Sequence, residues 1–481
     1  MANCYRATGG ATGSATVGRA FELTTLWTFL LVLVCVMGSL GCKRSPHGEQ
    51  NGESSAQRFR EGKVIGGSMA PHFRGEHFVA QCNGCGSYFE GDFEQSKMAV
   101  SLICPFCGSQ NSVTGRRGSD RVSIEVEPES ISRWDVVAFQ LPNIKQAGIK
   151  RVVGLPGESI EIRDGNLWLG GSLIRKTIDE QKCTRILIHD SNKTKSETTL
   201  WQPVDSQGAR LDGAGHRFEG GKFLLDFQGD RQQAQGSPMQ WFEFRNRRNY
   251  SHKADPDSAD EEIEAWPIED NYGYNQSLLR NLNVVDEIFV SLKLTTSGIH
   301  RLGWKYKLGN RSFVFEIDVK TRELTVTSIE GSTQKRLGQY DLAESVFESS
   351  EIEIEFSTID KLAIVLLNGI QVAQFELETP AEDRVESKRA AVGLFQLGAA
   401  VGGGNSENRS PKNRSLGHVR IWRDIYYLPA QEKAQSQKLV AGSDGFLLLG
   451  DNQPVSIDSR HWPDAGVSRE QLIGKVKKRR R

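Results

Sequence analysis

Three stretches of this chain place reactive side chains where the local sequence would shape their chemistry. Lys63-Val-Ile-Gly-Gly-Ser-Met-Ala-Pro-His-Phe73 sets Ser68 behind Gly66 and Gly67 and ahead of Met69 and Pro71. Glycine there lets the backbone fold tightly and present a hydroxyl beside N–H groups, although the same residues also suit an ordinary turn. Gly148-Ile-Lys-Arg-Val-Val-Gly-Leu-Pro-Gly157 puts Lys150 at the start of an apolar strand that closes in a Gly-Leu-Pro-Gly turn. Burial among such neighbours disfavours the ammonium and would make Lys150 a base; a lysine on a solvated strand edge is the alternative. Near the C-terminus, Gly450-Asp-Asn-Gln-Pro-Val-Ser-Ile-Asp-Ser-Arg460 is dense in polar groups that a buried site would use. A serine hydroxyl is a poor nucleophile until a neighbour takes its proton, and a desolvated lysine does this without a histidine. The nine histidines form no recognisable triad pattern with a serine.

Cysteine spacing points to a second kind of site. Cys82-Asn-Gly-Cys85 and Cys104-Pro-Phe-Cys107 are two C-x-x-C knuckles, and each tight turn aims two thiolates at one point. The pattern predicts a structural zinc held by Cys82, Cys85, Cys104 and Cys107, with disulfides as the competing reading. Such a site is closed and supplies no catalytic water. Cys4, Cys35, Cys42 and Cys183 show no pairing logic.

The elements that must carry these residues read as mostly β. Short alternating runs such as Arg121–Val126, Asp135–Phe139 and Ser159–Ile162 recur between Gly and Pro punctuation. Residues 285–428 hold about eight strand candidates by the same criterion. Among them, Leu362–Leu367 and Ile370–Leu377 flank Asn368-Gly369, the signature of a type I′ hairpin. That density predicts a β-sandwich. With Gly393–Leu397 and Val419–Tyr427 as its late strands, it resembles a laminin-G or concanavalin-type jelly roll, a likeness that implies a glycan- or protein-binding module; a packing insert is the other reading. Glu351, Glu353 and Glu355 alternate with Ile352, Ile354 and Phe356, as on a sheet with one solvated face. Segment 184–284 reads as an irregular polar insertion.

At 481 residues the chain is long enough for about three domains. Lys+Arg and Asp+Glu are balanced at 60 each, so no global field argues for nucleic acid. Residues 23–42 carry no charge and are long enough to cross a hydrocarbon core as one transmembrane helix; a cleaved signal peptide and a lipoprotein signal ending at Cys42 are the other readings. Flanking charges leave its orientation open. Residues 43–62 have the composition of a polar tether, and the basic end 477–481 reads as a solvated tail or as a draw for anionic lipid.

In this order the Ser68, Lys150 and Gly450–Arg460 segments resemble type I signal peptidases, the membrane-anchored Ser-Lys proteases that remove signal peptides from preproteins. The resemblance covers residues 63–75, 130–180 and 445–476. It implies Ser68 as nucleophile and Lys150 as general base, Ser456 orienting the lysine, Asp458 and Arg460 as a supporting ion pair, and the apolar run around Met69 close to lipid. It implies no cofactor for catalysis. Gln453 stands where the family usually has an arginine, and Gly66 where some members have an oxyanion-hole serine. The expected architecture is a signal-peptidase-type β core over 63–183 and 429–476, with a zinc-ribbon insertion at 80–110 and a β-sandwich at 285–428 that can be excised. The expected setting is a bacterial inner membrane, crossed once, with the catalytic part on the outer, periplasmic side. The contrasting reading is an inactive membrane-tethered scaffold that binds glycans or proteins.

Overall fold

A computed structural model describes residues 59–479 apart from 94–100, 143, 193–199, 206–215, 220–221, 226–238, 247–265, 277, 279, 296–298, 378–392, 402–414 and 432–433. The expected membrane helix at 23–42 lies outside the described residues. Among those described, no helix is long and apolar enough to cross a membrane.

Alternating apolar residues make this a β protein, as the sequence predicts, with one short α-helix among the described residues, at Ile178–Thr184. That helix begins in a capping box, in which the Thr177 side chain accepts from the Glu180 N–H while Glu180 reaches back to the Thr177 N–H. A seven-stranded sheet carries both the Lys150 and the C-terminal segments. Its order is Phe59–Lys63, Arg121–Val126, Leu472–Lys478, Val136–Phe139, Gly148–Gly154, Gly445–Leu449 and Gly466–Ser468. The fold therefore includes Phe59–Lys63, whose first residues lie inside the stretch expected to be tether, because this strand pairs along its whole length with Arg121–Glu125. A four-stranded sheet joins Ser159–Arg163 and its hairpin partners to Ser436–Val440.

Part of the basic end is structured, while residues 480–481 lie outside the described residues. The last strand runs through Lys478, where Lys475 pairs with Asp135 at 2.8 Å, Lys477 with Glu125 at 3.2 Å and Lys478 with Asp120 at 2.6 Å. Those lysines are answered by the protein's own carboxylates, which weakens any pull toward anionic lipid.

The sandwich is larger than the sequence suggested. One sheet centres on Ile288–Thr295 and Ser415–Arg423, the other on Ile299–Leu308 and Phe395–Val401. Segment 184–284 is not simply an irregular insertion. Ile186–Asp190 pairs with Ser415–Arg423, Lys222–Leu225 extends the same sheet, and Trp201–Val204 and Gln240–Phe244 complete the other. The strands hidden in that polar stretch are short and aromatic, and they are separated by long polar connections that dilute their signal. The interior is packed with Trp201, Trp304, Phe315 and Phe356, and the Trp304 and Phe315 rings stack at 5.1 Å. The Asn368-Gly369 turn has φ of 49° and 80°, both left-handed, as a type I′ hairpin requires. Ile352, Ile354 and Phe356 face the core. Of the alternating acids, Glu351 is exposed, but Glu355 is buried against Lys182 at 2.6 Å.

The sandwich meets the segment ahead of the helix through a buried charge cluster. Lys176, just ahead of the helix, reaches Asp360 at 2.6 Å and Asp424 at 3.0 Å. Asp360 follows the strand Glu351–Ser357 and Asp424 follows Ser415–Arg423, so both acids belong to the sandwich. Burial alone would lower the Lys176 pKa, but the two carboxylates raise it above the ordinary value, so the ammonium stays charged. Glu287 beside them is pushed up to about 8 by burial and by Asp360 and Asp424, which keeps it protonated at neutral pH.

Candidate active site

The segment Gly66–Phe73 leaves the first strand in a tight turn, with the Ala70 N–H donating to Gly67 O at 3.0 Å and the Phe73 N–H to Met69 O at 2.8 Å. Gly66 sits at φ 74°, a left-handed conformation that a serine there would adopt only under strain. Met69 does not face outward. It is buried with Val64, Phe73, Val122, Val136 and Val476, so it anchors the turn from within. The exposed apolar side chains in these two loops are Ile65 and Ile457.

Lys150 lies on Gly148–Gly154 opposite Val137, and strand alternation sends it and Arg151 to opposite faces of the sheet. Lys150 Nζ donates to Ser68 Oγ at 2.7 Å, and only 6% of Lys150 is exposed. Burial lowers its pKa most. Asp458 opposes the shift, Arg460 adds to it and Asp451 opposes it again, leaving it at about 8. On the other face, Arg151 makes a two-pronged pair with Asp451 at 2.7 and 2.6 Å. That pair fixes the strand beside the lysine from behind.

The C-terminal segment closes over the pair. Ser456 Oγ donates to Asp458 Oδ2 at 2.7 Å; it makes no hydrogen bond to Lys150, so any influence it has on the amine passes through Asp458. Arg460 grips Asp458 through Nε and one terminal nitrogen, each at 2.8 Å, as expected of the supporting ion pair. Burial would raise the Asp458 pKa, but bonds from His461 and Arg460 and the Arg460 charge hold it well below the usual carboxylate range. Gln453 spans Gly450 O at 2.5 Å and the Leu428 N–H at 3.2 Å, tying this motif to the end of the sandwich. Gly450 is a place where a side chain has no room. A Cβ there would lie 2.2 Å from Ser456 Oγ and 2.5 Å from Ser68 O.

The sequence reading missed Asn452 and the segment Tyr272–Gln276. The Asn452 N–H donates to Ser68 O at 3.0 Å and its side chain to Gly67 O at 2.9 Å. Tyr272 Oη donates to Asp451 O at 2.8 Å. Asn452 was in view within a polar motif, but nothing in the local sequence marks 272–276.

The four cysteines also come together. Cys82 and Cys107 sulfurs are 3.2 Å apart, those of Cys85 and Cys104 are 3.6 Å apart, and all four lie within 4.8 Å of one another. Thiolates about 2.3 Å from one zinc stand about 3.8 Å apart, so the set fits a tetrahedral ion. No disulfide joins these four residues in this fold.

Residues 100–210 match the family model for signal peptidase, peptidase S26. The match includes Lys150 and stops short of both Ser68 and the C-terminal motif. It supports a serine peptidase of signal-peptidase type. A search of curated proteins finds no match. Among solved structures, a Caenorhabditis elegans galectin is 14% identical over 28% of this chain and 81% of its own, with a TM-score of 0.20. A prokaryotic lichenase from a mouse hindgut metagenome is 11% identical over 50% of this chain and 99% of its own, with a TM-score of 0.27. A Bacillus subtilis carbohydrate-binding module is 10% identical over 29% and 73%, with a TM-score of 0.17. Scores this low carry no argument about this chain.

Proposed function

We propose that the chain is a membrane-anchored serine endopeptidase that cleaves signal peptides from exported preproteins through a Ser68–Lys150 dyad. The observation that carries this reading is the 2.7 Å contact between a buried Lys150 amine and the Ser68 hydroxyl. Once Lys150 has lost its proton, the direction of that bond reverses and the hydroxyl donates to the neutral amine. Ser68 Oγ then attacks the scissile carbonyl as its proton passes to Nζ. The tetrahedral oxyanion meets backbone donation from the Ser68 N–H, which has no hydrogen-bond partner among the described residues. Collapse expels the amine, which takes the proton from Nζ and leaves an acyl-enzyme. Lys150 next deprotonates a water that releases the acyl group. Ile65 and Ile457 offer the apolar surface on which a signal peptide would lie.

The anchor is the uncharged 23–42 segment, which would hold the catalytic part on the outer, periplasmic side of a bacterial inner membrane. Cys82, Cys85, Cys104 and Cys107 would hold one structural zinc, which contributes folding energy to the knuckle and takes no part in the chemistry. The test is purified full-length protein in detergent micelles, incubated with a preprotein and assayed by mass spectrometry. A single cut after the signal peptide, absent with Ser68→Ala, is expected. Equal cleavage by both proteins would refute the reading.

A further inference from the structure

The segment Tyr272–Gln276 belongs to none of the three motifs, yet it touches the nucleophile turn, the C-terminal motif and the cysteine knuckle. Gln276 pairs with the backbone of Ile103 in both directions, accepting from its N–H at 2.6 Å and donating to its carbonyl at 2.7 Å. The Asp92 N–H donates to Tyr274 O at 2.7 Å, which fixes the segment to the knuckle a second time. The Tyr274 ring lies over Gly67, where a Cβ would come within 2.7 Å of Cε1. At the centre, Asn275 and Asn452 exchange amide hydrogen bonds. Asn275 Nδ2 donates to Asn452 Oδ1 at 2.5 Å, and Asn452 Nδ2 donates back to Asn275 Oδ1 at 2.9 Å. Both side chains are buried.

Asn452 in turn grips the two peptide carbonyls that flank Ser68, taking Gly67 O with its side chain and Ser68 O with its backbone N–H. Its side-chain orientation therefore sets the Gly67 carbonyl, on the N-terminal side of the main chain that presents Ser68 Oγ, and the partner holding that orientation is Asn275. An amide is the group suited to this place, because it donates and accepts in one plane and adds no charge to a buried site. We propose that Asn275 is a positioning residue for the nucleophile, acting through Asn452 and held in place by the anchorage of its strap on the cysteine knuckle. The proposal rests on the reading of Ser68 as nucleophile.

The experiment compares full-length wild type, Asn275→Ala and Asn275→Asp in detergent micelles, by preprotein cleavage and by amide hydrogen exchange read by mass spectrometry. Misplacing a reacting group by about 1 Å costs up to about 100-fold in rate, so kcat should fall about 10- to 100-fold. KM should stay within about twofold, and in Asn275→Ala, which adds no charge, the acid limb of the pH profile should not move, because binding and the lysine are untouched. Exchange should quicken in peptides covering 64–73 and 448–456 and stay unchanged in the sandwich strands near 311–330. Asn275→Asp keeps the size but loses the donor to Asn452, so it should match or exceed the alanine variant. Wild-type kcat and exchange in either variant would overturn the proposal, as would losses in which KM, unfolding temperature and sandwich exchange all move together. Should the wild type cleave no preprotein, the peptidase reading fails on its own, and unchanged exchange at 64–73 would still overturn the role of Asn275.

Discussion

Lys150 and Ser68 are 82 positions apart and become neighbours only because a buried strand and a tight turn face each other. The lysine is neutral only when its pH exceeds a pKa of about 8, so turnover should rise with pH through that value and level off above it. Measuring kcat/KM against pH checks this; a limb near the ordinary lysine value of about 10.4 would mean that burial does not act on this group. Asp458 favours the ammonium, so Asp458→Asn should move the limb to lower pH while leaving Arg460 buried and unpaired. The second effect should cost about 3–5 kcal/mol of stability, read by denaturant unfolding. The segments that the fold brings together at Ser68, Lys150 and the Asp458–Arg460 pair stand out in the sequence because each is a short motif. The route by which Ser456 acts does not, since hydrogen-bond direction depends on rotamers that no spacing encodes. Asn275 was invisible for a related reason: it is one polar residue in a polar stretch, and only the fold brings it to Asn452.

Among the elements, the loop at Gly450 is the most sterically constrained. Gly450→Ala would drive a methyl group into Ser456 Oγ and Ser68 O, so it should abolish cleavage while the sandwich still unfolds at its usual temperature. The cysteine knuckle makes a different prediction: elemental analysis should find one zinc per chain. Cys104→Ser should lose it and increase proteolytic nicking in the 80–110 region, because structural zinc contributes folding energy outright. Strand boundaries in the sandwich were readable wherever apolar residues alternate cleanly, as at Glu351–Ser357 and in the Asn368-Gly369 hairpin. They were not readable between 186 and 244. There, strands of four or five residues add to sheet edges whose partners lie far along the chain, and so short a window carries too little periodicity to stand out.

Across the whole molecule, the sandwich is joined to the rest of the chain more intimately than an excisable insert would be. Removing 285–428 would strip the strands at 186–244 of their partners and take Asp360 and Asp424 away from Lys176. Such a deletion should therefore yield a protein that aggregates, not a smaller active peptidase. Lys176→Met isolates the charge cluster. It leaves buried carboxylates without their cation and should lower stability by about 3–5 kcal/mol. The central claim is that the hydroxyl and the amine act as one unit, and the most direct measurement is preprotein cleavage by wild type, Ser68→Ala and Lys150→Arg across pH 6 to 10. Arginine keeps the positive charge but does not give up its proton in this range. The account predicts a single cut by wild type that strengthens through about pH 8 and no cut by either variant at any pH. Cleavage by Lys150→Arg at the wild-type rate would contradict it.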